Sequence, residues 1–225
     1  MKDYLLYCIL IPCCYLIGSI NFAVLISMIK NKDIKSLGSG NPGTMNMIRS
    51  MGKIYGIITF LLDFAKGVLS ALLGMFLFKE NPHLAMYVLG FTTVIGHIFS
   101  IFCKFKGGKG VATTLGAFAV ISPIAFGVCF IVLLVYLKFF KKGFIGSIIA
   151  VSIPIITEII INAVNHTKYE MFYIPIILCI VWLILIIFTH KSNIIRLING
   201  EENSLNLYKK EKKINENNEG GTNEK

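Results

Sequence analysis

Long apolar runs separated by short polar segments set the plan of this chain. The runs at residues 4–29, 54–78, 84–102, 143–163 and 171–189 are each near or above the roughly 20 residues a helix needs to cross about 30 Å of hydrocarbon. The run at 111–137 is different. As one helix it would be about 40 Å long, which demands strong tilt. Pro123 supplies a mechanism for a break beside Ser122, at the cost of a short first helix.

Charge decides between these two readings. With a break at Pro123 there are seven spans, the N-terminus lies outside and the C-terminus is cytoplasmic. Nearly every lysine and arginine then falls inside, leaving Lys2, Lys79 and Lys168 outside and Lys66 within a span. An unbroken helix would split the basic residues between the two faces, against the positive-inside tendency. The expected fold is therefore all-α and polytopic: one membrane-integral domain over residues 1–200, followed by a polar tail over 201–225 that carries no packed core.

Composition supports this reading. The 225 residues are 55% hydrophobic, with a mean hydropathy of +0.72, which moves the class from soluble to membrane-integral. The formal charge of +10 raises nucleic acid as a partner. It is set aside because the lysines sit at the ends of apolar runs, where they orient helices. Six cysteines lie mostly within those runs, without a CxxC pair or a Cys/His metal spacing, so neither a disulfide framework nor a metal is expected. The first run is too long for a signal-peptide core and reads as a retained helix.

The sidedness argument gathers the polar chemistry on one face. "GSGNPG" at 38–43 offers Ser39, Gly40, Asn41 and Gly43, with Asn46 and Arg49 close behind. Small residues let successive backbone N–H groups converge on an anion, and the arginine fork suits phosphate or carboxylate; a plain flexible loop is the other reading. "KGGKG" at 106–110 lacks the P-loop pattern and a preceding strand. Gly107, Gly108 and Gly110 still free the backbone to approach an anion at the start of a helix, with Lys109 as a point charge. A glycine-softened, positive-inside loop fits this stretch equally well. His190 and Asn193 lie one helical turn apart and Ser147 lies at the matching depth, either as an interfacial anchor or as part of a phosphate site. Within the spans, Asp63 and Lys66 at i, i+3 read as a packing pair or as catalytic groups, and His97 as bonded near the inner rim. Glu158 lies toward the opposite face, with no assigned part.

Taken together, "GSIN" (18–21), "GSGNPGTMNMIR" (38–49), "LLDFAKG" (61–67), "GHIFSIFCKFKGGKGVATTLG" (96–116) and "HKSNIIRLINGEE" (190–202) resemble, in order, the bacterial acyl-phosphate-dependent glycerol-3-phosphate acyltransferases. The resemblance implies a seven-helix enzyme of the bacterial inner membrane with its site on the cytoplasmic face. It would transfer a fatty acyl group from acyl phosphate to the 1-hydroxyl of sn-glycerol 3-phosphate, giving lysophosphatidic acid and phosphate in phospholipid synthesis, with membrane lipid around it. No cofactor is implied; an upstream acyl-phosphate-forming enzyme is. Ser39 and Arg49 match the family's first motif, Lys109 its glycine-rich motif, and His190 and Asn193 its last, while Ser147 matches a serine after the fifth helix. Lys35 stands where the family usually has arginine and Phe144 where a further serine is expected; Glu202 matches a glutamate ending the last motif.

A transporter for phosphate or an organophosphate is the rival class. It would place its site near the midplane, often with paired repeats. Here the cations crowd one rim and no repeat is visible.

Overall fold

The computed structural model describes residues 2–140, 143–165 and 171–201. Lys168, Glu202 and the rest of the polar tail, all invoked above, lie outside the described residues, as do Lys141 and Lys142. Among those described there are helices and turns but no strand. In chain order the α-helices are α1 (Lys2–Ser19), α2 (Phe22–Ile29), α3 (Thr44–Met51), α4 (Lys53–Leu77), α5 (Pro82–Ile98), α6 (Val111–Ile121), α7 (Pro123–Phe139), α8 (Gly143–Val164), α9 (Tyr173–Thr189) and α10 (Lys191–Ile198). A 3₁₀ turn at Ile101–Cys103 follows α5.

The bundle is apolar outside and partly polar within. Leu61, Phe76, Ile124, Ile131, Ile160 and Ile184 are exposed, while Thr59, Ser70, Thr93, Thr113 and Thr114 are buried. Water would invert that arrangement; lipid does not, because tails are as apolar as the side chains and hold helices together by close packing. Among the described residues three helices are long and apolar enough to cross a membrane, or up to five if each bent pair forms one span.

Glycine makes the close approaches. A Cβ at Gly67 on α4 would strike the Thr113 carbonyl on α6, and one at Gly116 on α6 would strike the Phe64 carbonyl on α4. Each glycine thus lets the other helix's backbone in, and α4 and α6 cross at near contact. Gly18 and Gly96 do the same for α1 and α5, against Thr93 and Tyr15. Trp182 on α9 fills the centre, its ring 5.1 Å from Phe118 and 5.3 Å from Phe91. Its Nε1–H donates to Thr114 Oγ1 at 2.8 Å, which satisfies the indole's polar end inside the bundle.

Two expectations change. The first apolar run is not one helix: it bends by 42° between α1 and α2. Asn21 is the reason, since its side chain accepts from Val24 N at 3.0 Å and restarts the helix as an N-cap. The first polar loop is also not all loop, because α3 forms within it. The break beside Pro123 lies where the sequence places it, with α6 ending at Ile121 and α7 starting on the proline. At 11 and 17 residues, however, both halves are shorter than the helices that meet the length for a span.

Candidate active site

The "GSGNPG" loop is folded by Asn46. Its Oδ1 accepts from Ser39 N at 2.9 Å, and its Nδ2 donates to Leu37 O at 2.9 Å and Ile34 O at 3.2 Å. The side chain is almost fully buried. Both amide protons are therefore committed to backbone carbonyls, and Asn46 acts as the loop's strut. Asn21, besides capping α2, donates to Pro42 O at 3.1 Å and ties the loop to the bend between α1 and α2. Gly43 then caps α3, whose last turn carries Arg49; Arg49 Nε donates back to Met45 O at 3.1 Å.

The glycine-rich loop is held from the end of α5. Gly107 N donates to Ile98 O at 2.9 Å and Gly108 N to His97 O at 3.1 Å. A Cβ at Gly107 would meet those same carbonyls, and one at Gly108 would meet His97 Nε2. These two glycines are thus required by packing on α5, and their N–H groups are committed. Gly110 has φ +81°, a left-handed value that favours glycine, and caps α6.

His190 sits at the corner just beyond α9. Its Nδ1 lies 2.8 Å from Ile186 O, so Nδ1–H is the donor and Nε2 carries the lone pair in the neutral ring. Burial and the charge of Lys109 push its pKa down to about 4, despite the opposing pull of the Ile186 carbonyl. At neutral pH it is uncharged. Thr189 Oγ1 reaches Lys109 O at 3.3 Å and so joins this corner to the glycine-rich loop. Ser147, one turn into α8, donates to Gly143 O at 3.0 Å.

These pieces enclose a cavity of about 110 Å³ whose wall includes Ser39, Asn41, Gly43, Asn46, Arg49, Lys109, Gly110, Ser147, His190 and Asn193. That is room for a small polar molecule. All six residues assigned reactive roles from the sequence come together here. Of those assigned to phosphate, Gly40, Gly107 and Gly108 do not reach the wall; Gly40 N donates to Leu37 O instead. Four helices present their N-terminal ends: α3 through Thr44 and Met45, α6 through Val111 and Ala112, α8 through Gly143 and Phe144, and α10 through His190 and Asn193. The first turns of a helix carry N–H groups without intrahelical partners and a positive partial charge. With Arg49 and Lys109 added, the cavity is built for anions.

One side of the wall is apolar, formed by Phe60, Leu115, Leu133 and Phe144. Asp63 and His97 also line it, two residues whose parts the sequence left open. Asp63 Oδ1 is 2.8 Å from Lys66 Nζ and 3.4 Å from His97 Nδ1. Their signal was legible as ionisable groups within apolar runs, but nothing in the spacing placed Asp63 and His97 beside Lys109. Asn21 gave no such signal apart from its place in "GSIN". Among the described residues no cluster of His, Cys, Asp and Glu has the makings of a metal site.

Comparison with known proteins gives a consistent result. The sequence profile of the family described as glycerol-3-phosphate acyltransferase matches residues 8–200. A glycerol-3-phosphate acyltransferase from Aquifex aeolicus is 36% identical, covering 84% of this chain and 93% of that relative. One from Acholeplasma laidlawii is 41% identical, covering 88% and 92%. The crystal structure of PlsY, an integral membrane glycerol 3-phosphate acyltransferase, in its glycerol 3-phosphate form superposes with a TM-score of 0.77 at 34% identity, over 87% of this chain and 94% of that one. Its lysophosphatidic acid form gives 0.70 at 35%, over 87% and 93%.

Proposed function

The chain belongs to the glycerol-3-phosphate acyltransferase family, and we propose that it passes a fatty acyl group from acyl phosphate to the 1-hydroxyl of sn-glycerol 3-phosphate. The products are lysophosphatidic acid and inorganic phosphate, and the step serves phospholipid synthesis. It is a membrane enzyme that acylates glycerol 3-phosphate. The observation that carries the donor assignment is the cavity itself: two cations and four helix N-termini converge on one small space, as two phosphorylated substrates require.

In this reading Lys109 and the first turn of α6 hold one phosphate. Arg49 and Asn193 hold the other, while His190 and the Ser39 and Ser147 hydroxyls bond the reacting groups and Asn41 and Gly43 border the first loop's phosphate. Gly110 sets the start of α6. The committed N–H groups of Gly40, Gly107 and Gly108 shift the amide contribution from the glycines to the helix starts. The apolar wall at Phe60, Leu115, Leu133 and Phe144 suits the first carbons of the acyl chain.

The chemistry is direct transfer. The 1-hydroxyl oxygen bonds to the acyl carbonyl carbon, the bond from that carbon to the phosphate oxygen breaks, and phosphate leaves. The donor is already activated, so positioning and charge stabilisation are the enzyme's main contributions. His190, held near 4, is a weaker base than a phosphate whose second ionisation lies at about 6. The proton therefore ends on phosphate, and His190 Nε2 orients the hydroxyl by accepting its hydrogen bond.

The same reading sets the protein in the bacterial inner membrane as a single seven-span domain over residues 1–200. The N-terminus is outside, the C-terminus and the site are cytoplasmic, and an acyl-phosphate-forming enzyme acts upstream. Support comes from the basic residues, which this topology gathers on one side. Membranes containing the protein, incubated with glycerol 3-phosphate and either acyl phosphate or acyl-CoA, test the assignment. Lysophosphatidic acid is expected from acyl phosphate alone. Product from acyl-CoA alone would overturn the donor, and substrate uptake into vesicles without any product would favour transport.

A further inference from the structure

Lys66 lies fully inside the bundle, and its surroundings join three segments. The bend between α1 and α2 leaves carbonyls without intrahelical partners, and Lys66 Nζ reaches two of them, Gly18 O at 3.0 Å and Ile20 O at 2.9 Å. The carbonyl between them, Ser19 O, accepts from Ser100 Oγ. Lys66 Nζ also lies 2.8 Å from His97 Nδ1 and 2.8 Å from Asp63 Oδ1. An ammonium has three protons and accepts nothing. Gly18 and Ile20 take two of those protons, and the third lies on the side of Asp63 and His97. His97 Nδ1 also lies 3.4 Å from Asp63 Oδ1, so Lys66 and Asp63 together hold the ring by its Nδ1 edge.

The ring's Nε2 edge faces Gly108. A Cβ on Gly108 would meet Nε2 itself, with Cε1 at 3.0 Å and Pro42 O at 3.1 Å. The His97 carbonyl takes the Gly108 N–H as well. Residue 108 is therefore gripped from both the main chain and the side chain of His97, one position before Lys109. We propose that Asp63, Lys66 and His97 form a positioning network that fixes the glycine-rich loop, and with it Lys109, against the first loop at Pro42. Lys66 and Asp63 set the ring's place, and the ring sets the loop. The proposal rests on the acyl-transfer reading of the cavity, because it concerns how that site is held. It also gives Gly108 a role separate from binding phosphate.

A mispositioning of about 1 Å costs up to roughly 100-fold in rate, so a displaced Lys109 is visible in kcat. The wild-type chain in membranes, assayed for lysophosphatidic acid from acyl phosphate and glycerol 3-phosphate, comes first. No product there refutes the acyl-transfer reading and overturns the proposal with it, whereas a failure of the network alone shows only in the variants. With wild-type activity in hand, Gly108→Ala presses on the ring without touching Lys66 or Asp63. We expect kcat to fall at least about tenfold, with a smaller change in the KM for glycerol 3-phosphate and no fall in melting temperature beyond a few degrees. Adding His97→Ala removes the clash, so the double variant should be at least as active as Gly108→Ala alone. Lys66→Met in the same assay should lower kcat by a similar factor. Wild-type kcat in Gly108→Ala, or losses that multiply independently in the double variant, would overturn the proposal.

Discussion

His190 takes up its proton at a lower pH in the folded chain than in the unfolded one, and the difference is large enough to measure. Folded, burial and Lys109 hold it near 4 against an ordinary 6.5. The folded state therefore refuses a proton that the unfolded state takes. This depressed value confers no penalty above pH 6.5, where both states are neutral. Stability is lost as pH falls from 6.5 toward 4, and levels off below. The full difference corresponds to about 3 kcal/mol, of which about 2 kcal/mol has been lost by pH 5. His190→Asn is the fitting perturbation, since an amide N–H can replace Nδ1–H on Ile186 O while nothing titrates. Melting temperatures of both proteins in the same detergent, at pH 7.5 and pH 5, give the double difference in which all other titrations cancel. At about 2–4 °C per kcal/mol for a chain of this size, the wild type should lose about 4–8 °C more than the variant. Parallel curves would refute the placement of His190 as a buried neutral imidazole beside Lys109. The same placement predicts that kcat carries no titration from His190 between pH 6 and 8.

Other expectations follow from named contacts. Lys109→Ala removes a charge-assisted contact to phosphate worth about 1.5–3 kcal/mol, so kcat/KM with acyl phosphate should fall by roughly 10–150-fold; full activity would sink its role. Gly116→Ala places a methyl against the Phe64 carbonyl and should cost about 1–3 kcal/mol, read as a lower melting temperature. Gly127→Ala, with nothing within 4 Å, should be neutral or slightly stabilising, and equal effects would refute the close α4–α6 crossing. Tyr87 Oη donates to Glu158 Oε2, and Asn162 Nδ2 donates to Tyr87 Oη at 3.0 Å. Glu158→Gln keeps an acceptor and should cost little, whereas Glu158→Ala leaves a buried hydroxyl stranded, at about 1–3 kcal/mol. Thermal denaturation of the two variants checks it.

How much of this was legible in the sequence depends on what each residue signals locally. Pro123 signals a break by removing an N–H and clashing with the preceding turn, and the helices part there. The basic residues signal a single polar rim, and Arg49, Lys109 and His190 do meet. The bend at Asn21 was hidden because its neighbours are apolar on both sides, so hydropathy runs through it. What restarts the helix is a side-chain cap, and what makes the bend tolerable is Lys66, forty-five residues later in the chain. Glu158 likewise had no local explanation, since its hydroxyl partner Tyr87 comes from α5. Such pairings arise only when helices pack, and no periodicity announces them.

The glycines of "KGGKG" show how one composition can serve a cause other than the one read from sequence. Glycine permits close backbone approach, but sequence does not say to what. Here the partners of Gly107 and Gly108 are carbonyls and an imidazole of α5, not an open anion site. Only Gly110 reaches the cavity, as the left-handed cap that begins α6. Two glycines therefore dock the loop and the third starts the helix, and Lys109 stands between them with its backbone held on both sides. An alanine at Gly107 or Gly108 acts by moving Lys109, whereas one at Gly110 strains the cap itself. Loss of activity at all three positions has two separate physical causes, and relief by His97→Ala is expected at Gly108 alone.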